Sequence, residues 1–402
     1  MRNSKDFADS WDVVVVGGGV IGLAIAREIG RRGMSVVVLE RGKMGEEASH
    51  AAAGMLAPQS EADRADEFFR LQCASRDLYP TFAEELREET GQDIELDQTG
   101  TLYLAFTDED EEELEKRFIW QTRAGLQVER LTAENARLLE PALSPHLRFA
   151  LKFPLDWQVE NRRLVSALVA SLKHYGVGCW EGVVASSLRV EANRVTGVET
   201  SHGFLGAGKV VLAAGAWTSR LPFSHTSEEP AGDGARPRHP LIEPVRGQML
   251  CFGPRPSFLQ LFRYGHVIYT PRGYVVPRRG GRLLVGATTE SVGFVKTMTG
   301  AGLYALITHA LEIAPDVGEL PIDETWSGLR PRAEDGHPVL GASEEVRGLF
   351  YATGHYRNGI LLAPLTGKLI AELIVDERVS PLLDAFTPER FRRSLCAAAY
   401  GE

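Results

Sequence analysis

The sequence predicts an α/β fold: a doubly wound, Rossmann-like dinucleotide-binding domain interleaved with a second domain built on an antiparallel sheet. Three observations predict it. A buried, β-branched strand runs into a glycine-rich turn and then a helix near the N-terminus. Two further buried strand-like runs, near residues 209 and 348, return late in the chain. Between them lie short β-rich stretches separated by Gly and Pro. The 402 residues suit two or three domains at roughly 150 residues each. With 44% hydrophobic and 24% charged residues the composition is that of a globular chain, which excludes disorder for its bulk.

Trp11 to Val16 is continuously apolar, the pattern of a strand buried on both faces. Gly17 to Gly22 follows, and Leu23 to Ile29 carries apolar residues at helical spacing. Gly33 stops that helix, and Ser35 to Leu39 reads as a second buried strand that completes a βαβ unit. Residues 64–90 read as a charged helix or helix pair. Residues 107–125 carry an acidic helix whose run from Asp108 to Glu115 reads as a solvated face. Lys209 to Ala214 is another buried strand. The Pro-, Gly- and Ser-rich residues 222–240 read as a mobile loop. Val245 to Thr289 supplies the antiparallel sheet, Gly302 to Ile313 a helix, Gly348 to Ala352 the last strand and Leu361 to Val375 the closing helix. This order implies two discontinuous domains. Segments 11–85, 155–220 and 326–385 form the dinucleotide domain, 86–154 and 240–325 the other, and 1–10 and 222–240 are flexible.

The balance of 44 Lys+Arg against 54 Asp+Glu, a net −10, argues against a nucleic-acid partner. Cys73, Cys179, Cys251 and Cys396 lie far apart without a CxxC, so neither a disulfide framework nor a zinc site is expected, which fits a reducing cytoplasm. No run approaches the length of a membrane span, and the polar first ten residues lack the core of a signal peptide. No metal-ligand spacing, GxSxG elbow or P-loop is present.

The chemistry-bearing motif is GxGxxG, with Gly17, Gly19 and Gly22. Gly17 permits the tight turn, Gly19 lets the backbone approach a pyrophosphate, and Gly22 lets helix and strand pack closely. The amides of Val20 and Ile21 then face the phosphates at the positive end of the helix dipole. Glu40, eighteen positions after Gly22, is placed to accept ribose hydroxyls. Together these predict a dinucleotide and leave FAD or NAD open. The small residues from Ala48 to Pro58 suit either a loop pressed against a broad ring or an Ala-rich helix interrupted by Gly54. Trp157, Trp217 and Trp326 read as core residues rather than cofactor-stacking ones.

GGGVIG with Glu40, ASHAAAGMLAP (48–58), PVRGQ (244–248), TWSGLRPRAEDGHPVLG (325–341) and ATGHYRNGILLAP (352–364) occur in an order that resembles the FAD-dependent D-amino-acid oxidase family. The likeness runs from Trp11 to Val375 and is greatest to the bacterial glycine oxidase branch, which serves thiamine thiazole synthesis. The resemblance implies FAD lined by Val20, Ile21, Glu40, Arg41, Ala48, Ser49, Ala53, Gly54 and Met55. It adds His355, Tyr356, Arg357, Asn358, Gly359, Ile360 and Leu361, with a backbone contact to adenine at Val184 or Ala185. Gly354 and Gly359 flank a turn into a helix whose amides would stabilise the anionic reduced flavin. The related sarcosine oxidases attach flavin through a cysteine near 330–340; no cysteine stands there, so non-covalent FAD is expected.

On the substrate side the resemblance implies Arg330, Arg357 and Tyr274. A guanidinium offers the planar fork that a carboxylate needs. Arg272 stands where comparable glycine oxidases have His, and Thr289 where they have Met. By resemblance both lie near the pocket, which predicts tolerance for bulkier or acidic substrates. The implied reaction is oxidative deamination, glycine first: the carboxylate docks on Arg330, hydride leaves the α-carbon of the neutral amine for the flavin, and oxygen is reduced to hydrogen peroxide. The imine hydrolyses to glyoxylate and ammonia. Sarcosine, larger D-amino acids or cyclic amines, a dehydrogenase with another electron acceptor, and a non-catalytic FAD-binding subunit remain alternatives. A cytoplasmic homo-oligomer taking an amino acid and O2 is expected, with no metal, nucleic-acid or membrane partner.

Overall fold

The structure, a computed structural model, describes residues 10–225, 238–255 and 265–391. Most of the two segments expected to be flexible therefore lies outside the described residues. At the edge of the second, Phe223–His225 is a strand paired in parallel with Ala185–Glu191, not loop.

Among the described residues one sheet has nine strands. Its parallel core runs Gly178–Glu181, Val36–Glu40, Trp11–Val16, Gly203–Leu212 and Leu349–Thr353, in that spatial order. The β-branched run at its centre is buried on both faces for a specific reason. Val13 and Val15 pack among helices Val20–Arg31, Glu67–Thr90, Asn161–His174 and Gly359–Val375. Val14 and Val16 pack the opposite way, against Leu188, Val190, Val195 and Val198 of an antiparallel meander. Burying each such side chain contributes roughly 1.5–3 kcal/mol, so this strand fixes the layer order.

Among the described residues the second sheet has eight strands. In spatial order they are Ile322–Ala333, Ile242–Phe252, Leu283–Gly286, Gly273–Pro277, Val267–Thr270, Thr101–Ala105, Phe149–Phe153 and Glu129–Thr132. All pairs are antiparallel except Val267–Thr270 against Thr101–Ala105. Ile322–Ala333 pairs along its length with Ile242–Phe252. The division expected at residue 326 thus falls inside a strand, and Arg330 belongs to the second sheet rather than to a return of the first. Continuous ladder hydrogen bonding overrides the local motif boundary there.

The charged segment before residue 90 forms one helix, Glu67–Thr90. Tyr79 donates its hydroxyl to the Ile360 carbonyl (2.5 Å) and Ser75 to the Leu361 carbonyl (2.7 Å), tying that helix to the start of Gly359–Val375. The acidic helix is Asp108–Arg123, but its acidic run is not wholly solvated. Asp110 is buried, closes a capping box with Thr107, and accepts both terminal nitrogens of Arg272 at 2.9 Å.

Candidate active site

A cavity of about 350 Å3 opens where the two sheets meet. Val16 and Gly17, Leu39 and Glu40, Ala213 to Trp217, and Ala352 and Thr353 line it from the carboxyl ends of four parallel strands, where a doubly wound sheet binds its ligand. The second sheet contributes Gly247, Met249, Tyr274 and Gly328 to Pro331.

Gly17 has φ +111°, and a Cβ there would lie 2.4 Å from the Ala213 carbonyl oxygen. At Gly22 it would meet the Gly17 oxygen at 2.0 Å, so this glycine seats helix on strand and does not itself line the cavity. The helix amides are less open than expected: Val20 N donates to the Ser49 hydroxyl at 2.9 Å. Ser49 thus caps the helix from a segment 29 residues away. Glu40 accepts Gly18 N and Gly42 N, each at 2.9 Å, through different carboxylate oxygens, which fixes the carboxylate on the cavity wall with lone pairs to spare. Removing it in Glu40→Ala should weaken FAD binding by about 1–3 kcal/mol, measured by titration of apoprotein.

Ala48–Ala51 makes one helical turn and Met55–Leu56 a short strand, so the small-residue segment is part helix and part loop. Between them Gly54 has φ +70° and a Cβ would come 2.0 Å from the Val159 oxygen. The buried Arg278 donates to the Ala53 and Val159 carbonyls at 2.6 and 2.8 Å, holding this stretch flat against the cavity. Arg41 stacks over Trp217, guanidinium carbon 3.8 Å from the ring centroid, and both line the cavity. Trp217 is therefore a cavity residue rather than a core one, because the turn after Gly203–Leu212 turns it inward. Trp157 is buried, and Trp326 donates to the Ala51 carbonyl.

On the far wall Tyr356 has φ +49°, rare for a non-glycine residue, in the turn that leads into helix Gly359–Val375. The first amides of that helix have no intrahelical partners. Asn358, Gly359 and Ile360 line the cavity, whereas the Leu361 side chain points into the core. His355 is fully enclosed, beside the Thr366 hydroxyl (3.2 Å), and burial pushes it down to about 3, so it stays neutral. Val184 and Ala185 both line the cavity.

The two arginines differ. Arg357 donates to Glu61 (2.9 Å) and to the Tyr269 hydroxyl (2.8 Å), and the Glu61 charge holds it well above its usual value. Arg330 donates through Nη1 to the Thr288 carbonyl at 2.9 Å, and among the described residues no carboxylate pairs with it. A Cβ at Gly247 would lie 2.4 Å from its guanidinium nitrogens, so glycine there makes its room. Tyr274 is buried, its hydroxyl 3.5 Å from the Met249 sulfur; burial pushes it up against the pull of Arg330 and Arg357.

Arg272 and Thr289 are not at the cavity. Arg272 is spent on Asp110 and Glu312 at the hairpin turn between strands Val267–Thr270 and Gly273–Pro277, and Thr289 is exposed. The substrate tolerance expected from these two departures loses its basis. Residues missed by sequence reasoning include Glu61, Gly247, Met249 and the Ala213–Trp217 turn. Two of these carried a signal: the turn, through Gly215 at the end of a buried strand, and Gly247, which lies within PVRGQ.

A GxGxxG turn, a carboxylate on the cavity wall at the end of the second strand and a small-residue bed beneath a broad cleft define a dinucleotide-binding oxidoreductase. Residues 12–373 match the family of FAD-dependent oxidoreductases called DAO. The chain belongs to this family; its cofactor is FAD, and it is an enzyme of the amino-acid oxidase class. It is 38% identical over 367 residues to glycine oxidase from Geobacillus kaustophilus (strain HTA426), covering 90% of this chain and 93% of that one. The crystal structure of glycine oxidase from Geobacillus kaustophilus superposes with a TM-score of 0.86 at 37% identity, over 95% of this chain and 99% of that one. The bifunctional protein ThiO/ThiG of Synechocystis sp. (strain ATCC 27184 / PCC 6803 / Kazusa) is 37% identical over 94% of this chain, which spans 54% of it. Among the described residues no helix is long and apolar enough to cross a membrane.

Proposed function

We propose that the enzyme oxidatively deaminates glycine, yielding glyoxylate, ammonia and hydrogen peroxide. One observation carries the substrate reading: of the two arginines at the cavity's substrate end, Arg330 is the one whose charge no carboxylate balances among the described residues. A cavity wall with an unbalanced guanidinium selects a ligand carboxylate. The Thr288 carbonyl takes one Nη1 hydrogen and fixes the guanidinium, leaving the other Nη1 hydrogen and Nη2 for a bidentate substrate contact. The same positive charge disfavours a substrate ammonium and favours the neutral amine that gives up hydride. Arg357, balanced by Glu61, closes the wall without competing for the carboxylate. His355 is neutral and engaged with Thr366, so the wall offers positioning rather than a charged base.

The small-residue bed from Ala48 to Met55, Glu40 and the helix start at Gly359 fit FAD, which supplies a two-electron acceptor able to return electrons to O2. Water hydrolyses the imine. Thiamine thiazole synthesis is the pathway of this reading, supported by the sequence resemblance and by the relative that carries ThiO and ThiG in one chain. A cytoplasmic homo-oligomer is part of the same reading. The test is aerobic turnover of glycine, sarcosine, D-alanine and D-proline with peroxide and 2-oxo acid quantified. Glycine should give glyoxylate and peroxide in equal amounts. Flavin reduction without peroxide would make the enzyme a dehydrogenase, and preference for another amine would reassign the substrate.

A further inference from the structure

We propose that Glu61 is a specificity-determining residue that confines the enzyme to monocarboxylate substrates by neutralising Arg357, the second guanidinium at the substrate end. The proposal rests on the reading that Arg330 receives the substrate carboxylate. The two guanidiniums share one face of the second sheet. That of Arg330 lies over Gly247, where a Cβ would come within 2.4 Å of its nitrogens. Two residues on, Met249 pairs with Gly286, and a Cβ at Gly286 would meet the Tyr274 ring at 2.5 Å. Tyr269 is the cross-strand partner of Tyr274, and their rings stack with centroids 6.2 Å apart. The Tyr269 hydroxyl accepts Arg357 Nη2 at 2.8 Å. Arg330, Tyr274, Tyr269 and Arg357 thus form one row, and burial pushes the Tyr274 phenol up while both arginines pull it down. The row leads from the first cavity into a second of about 520 Å3, which meets it at Glu61, Tyr356, Arg357 and Asn358.

A substrate with a second carboxylate finds room beyond the first anchor, so charge rather than size excludes it. Arg357 Nη2 has two hydrogens and spends one on Glu61 Oε1 (2.9 Å) and the other on Tyr269. The end-on fork, which needs one hydrogen from each Nη, is closed to a ligand. Glu61 also sets a negative charge where the second carboxylate would arrive, and like charges repel strongly in a part-buried site. Its turn, Pro58–Glu61, is fixed from both sides. The buried Asp156 accepts Gln59 N at 3.0 Å and both the amide and the hydroxyl of Ser60 at 2.7 Å. Arg117 donates to the Ala62 carbonyl that follows. With Glu61 charged, the wall holds one balanced pair and one free guanidinium. Without that charge it holds two free guanidiniums in one row.

The test compares methoxyacetate and diglycolate, two ligands without an amine that differ by one carboxylate. Their dissociation constants are read from perturbation of the flavin absorbance in four holoenzymes: wild type, Glu61→Gln, Glu61→Gln/Arg357→Met and Arg330→Ala. Wild type should favour methoxyacetate by about tenfold or more. Glu61→Gln should shift the ratio of the two affinities toward diglycolate by about tenfold or more. Adding Arg357→Met should remove most of that shift, because the freed guanidinium is what the second carboxylate finds. Glu61→Ala carries the same expectations if the Gln variant does not yield holoenzyme. A ratio that moves by less than about threefold in the single variant overturns the proposal, and so does a double variant that keeps the whole shift. Arg330→Ala should weaken both ligands. If it leaves methoxyacetate affinity unchanged, the anchor reading itself fails. If it weakens methoxyacetate while Glu61→Gln leaves the ratio unchanged, only the role of Glu61 fails.

Discussion

Arg330→Ala should raise the KM for glycine by about thirtyfold to a thousandfold, the equivalent of about 2–4 kcal/mol for a charged, bidentate contact in a partly desolvated pocket. The direction follows from the charge balance. Arg357 already has Glu61, so it cannot take over the carboxylate without breaking its own pair. Arg330→Lys should recover only part of the loss, since an ammonium cannot match both carboxylate oxygens or keep the planar contact to Thr288. An amine substrate without a carboxylate never used the anchor and should lose little. Steady-state kinetics on the three proteins checks this. Equal losses for carboxylate and non-carboxylate amines would make Arg330 a support for its strand, and the anchor would then be sought at Arg357 or Tyr274.

The second large effect is at the cofactor turn. Gly17→Ala places a methyl 2.4 Å from the Ala213 oxygen and 2.9 Å from the Ala214 Cα, in a backbone conformation of φ +111° that alanine rarely adopts. Both obstacles are backbone atoms at the end of a buried parallel strand, so the ends of two strands must move apart. The expected cost is about 3 kcal/mol or more in stability, with loss of FAD during purification. Gly33→Ala is the control: its φ is also positive, at +83°, but nothing lies within 4 Å of the added carbon. It should cost only about 1–2 kcal/mol and leave FAD in place. Thermal melts and flavin content separate the two. A Gly17→Ala protein that keeps FAD and melts like wild type would contradict the role given to this turn.

The contrast between these glycines marks what local sequence can carry. The βαβ unit, its turn and Glu40 were legible because they lie within thirty residues and obey strand and helix periods. The closing helix was legible too, since its apolar run and the glycine at its start are contiguous. What escaped was set by partners distant in sequence. Arg272 reads as a pocket cation until Asp110, 162 residues away, neutralises it elsewhere. Arg357 reads like Arg330 until Glu61, 296 residues away, balances it. The Val20 amide reads as a phosphate donor until the Ser49 hydroxyl arrives from another segment. Periodicity specifies which face of an element is buried. It does not specify which charge meets which, and in this cavity the charge pairing decides which arginine is free for substrate.

Anaerobic titration of the yellow holoenzyme with glycine tests the central claim most directly. The account predicts that glycine bleaches the flavin absorbance, that admitting air restores it with equimolar hydrogen peroxide, and that Arg330→Ala shifts the bleaching to far higher glycine concentration. A flavin that glycine, sarcosine, D-alanine and D-proline all fail to bleach would contradict it.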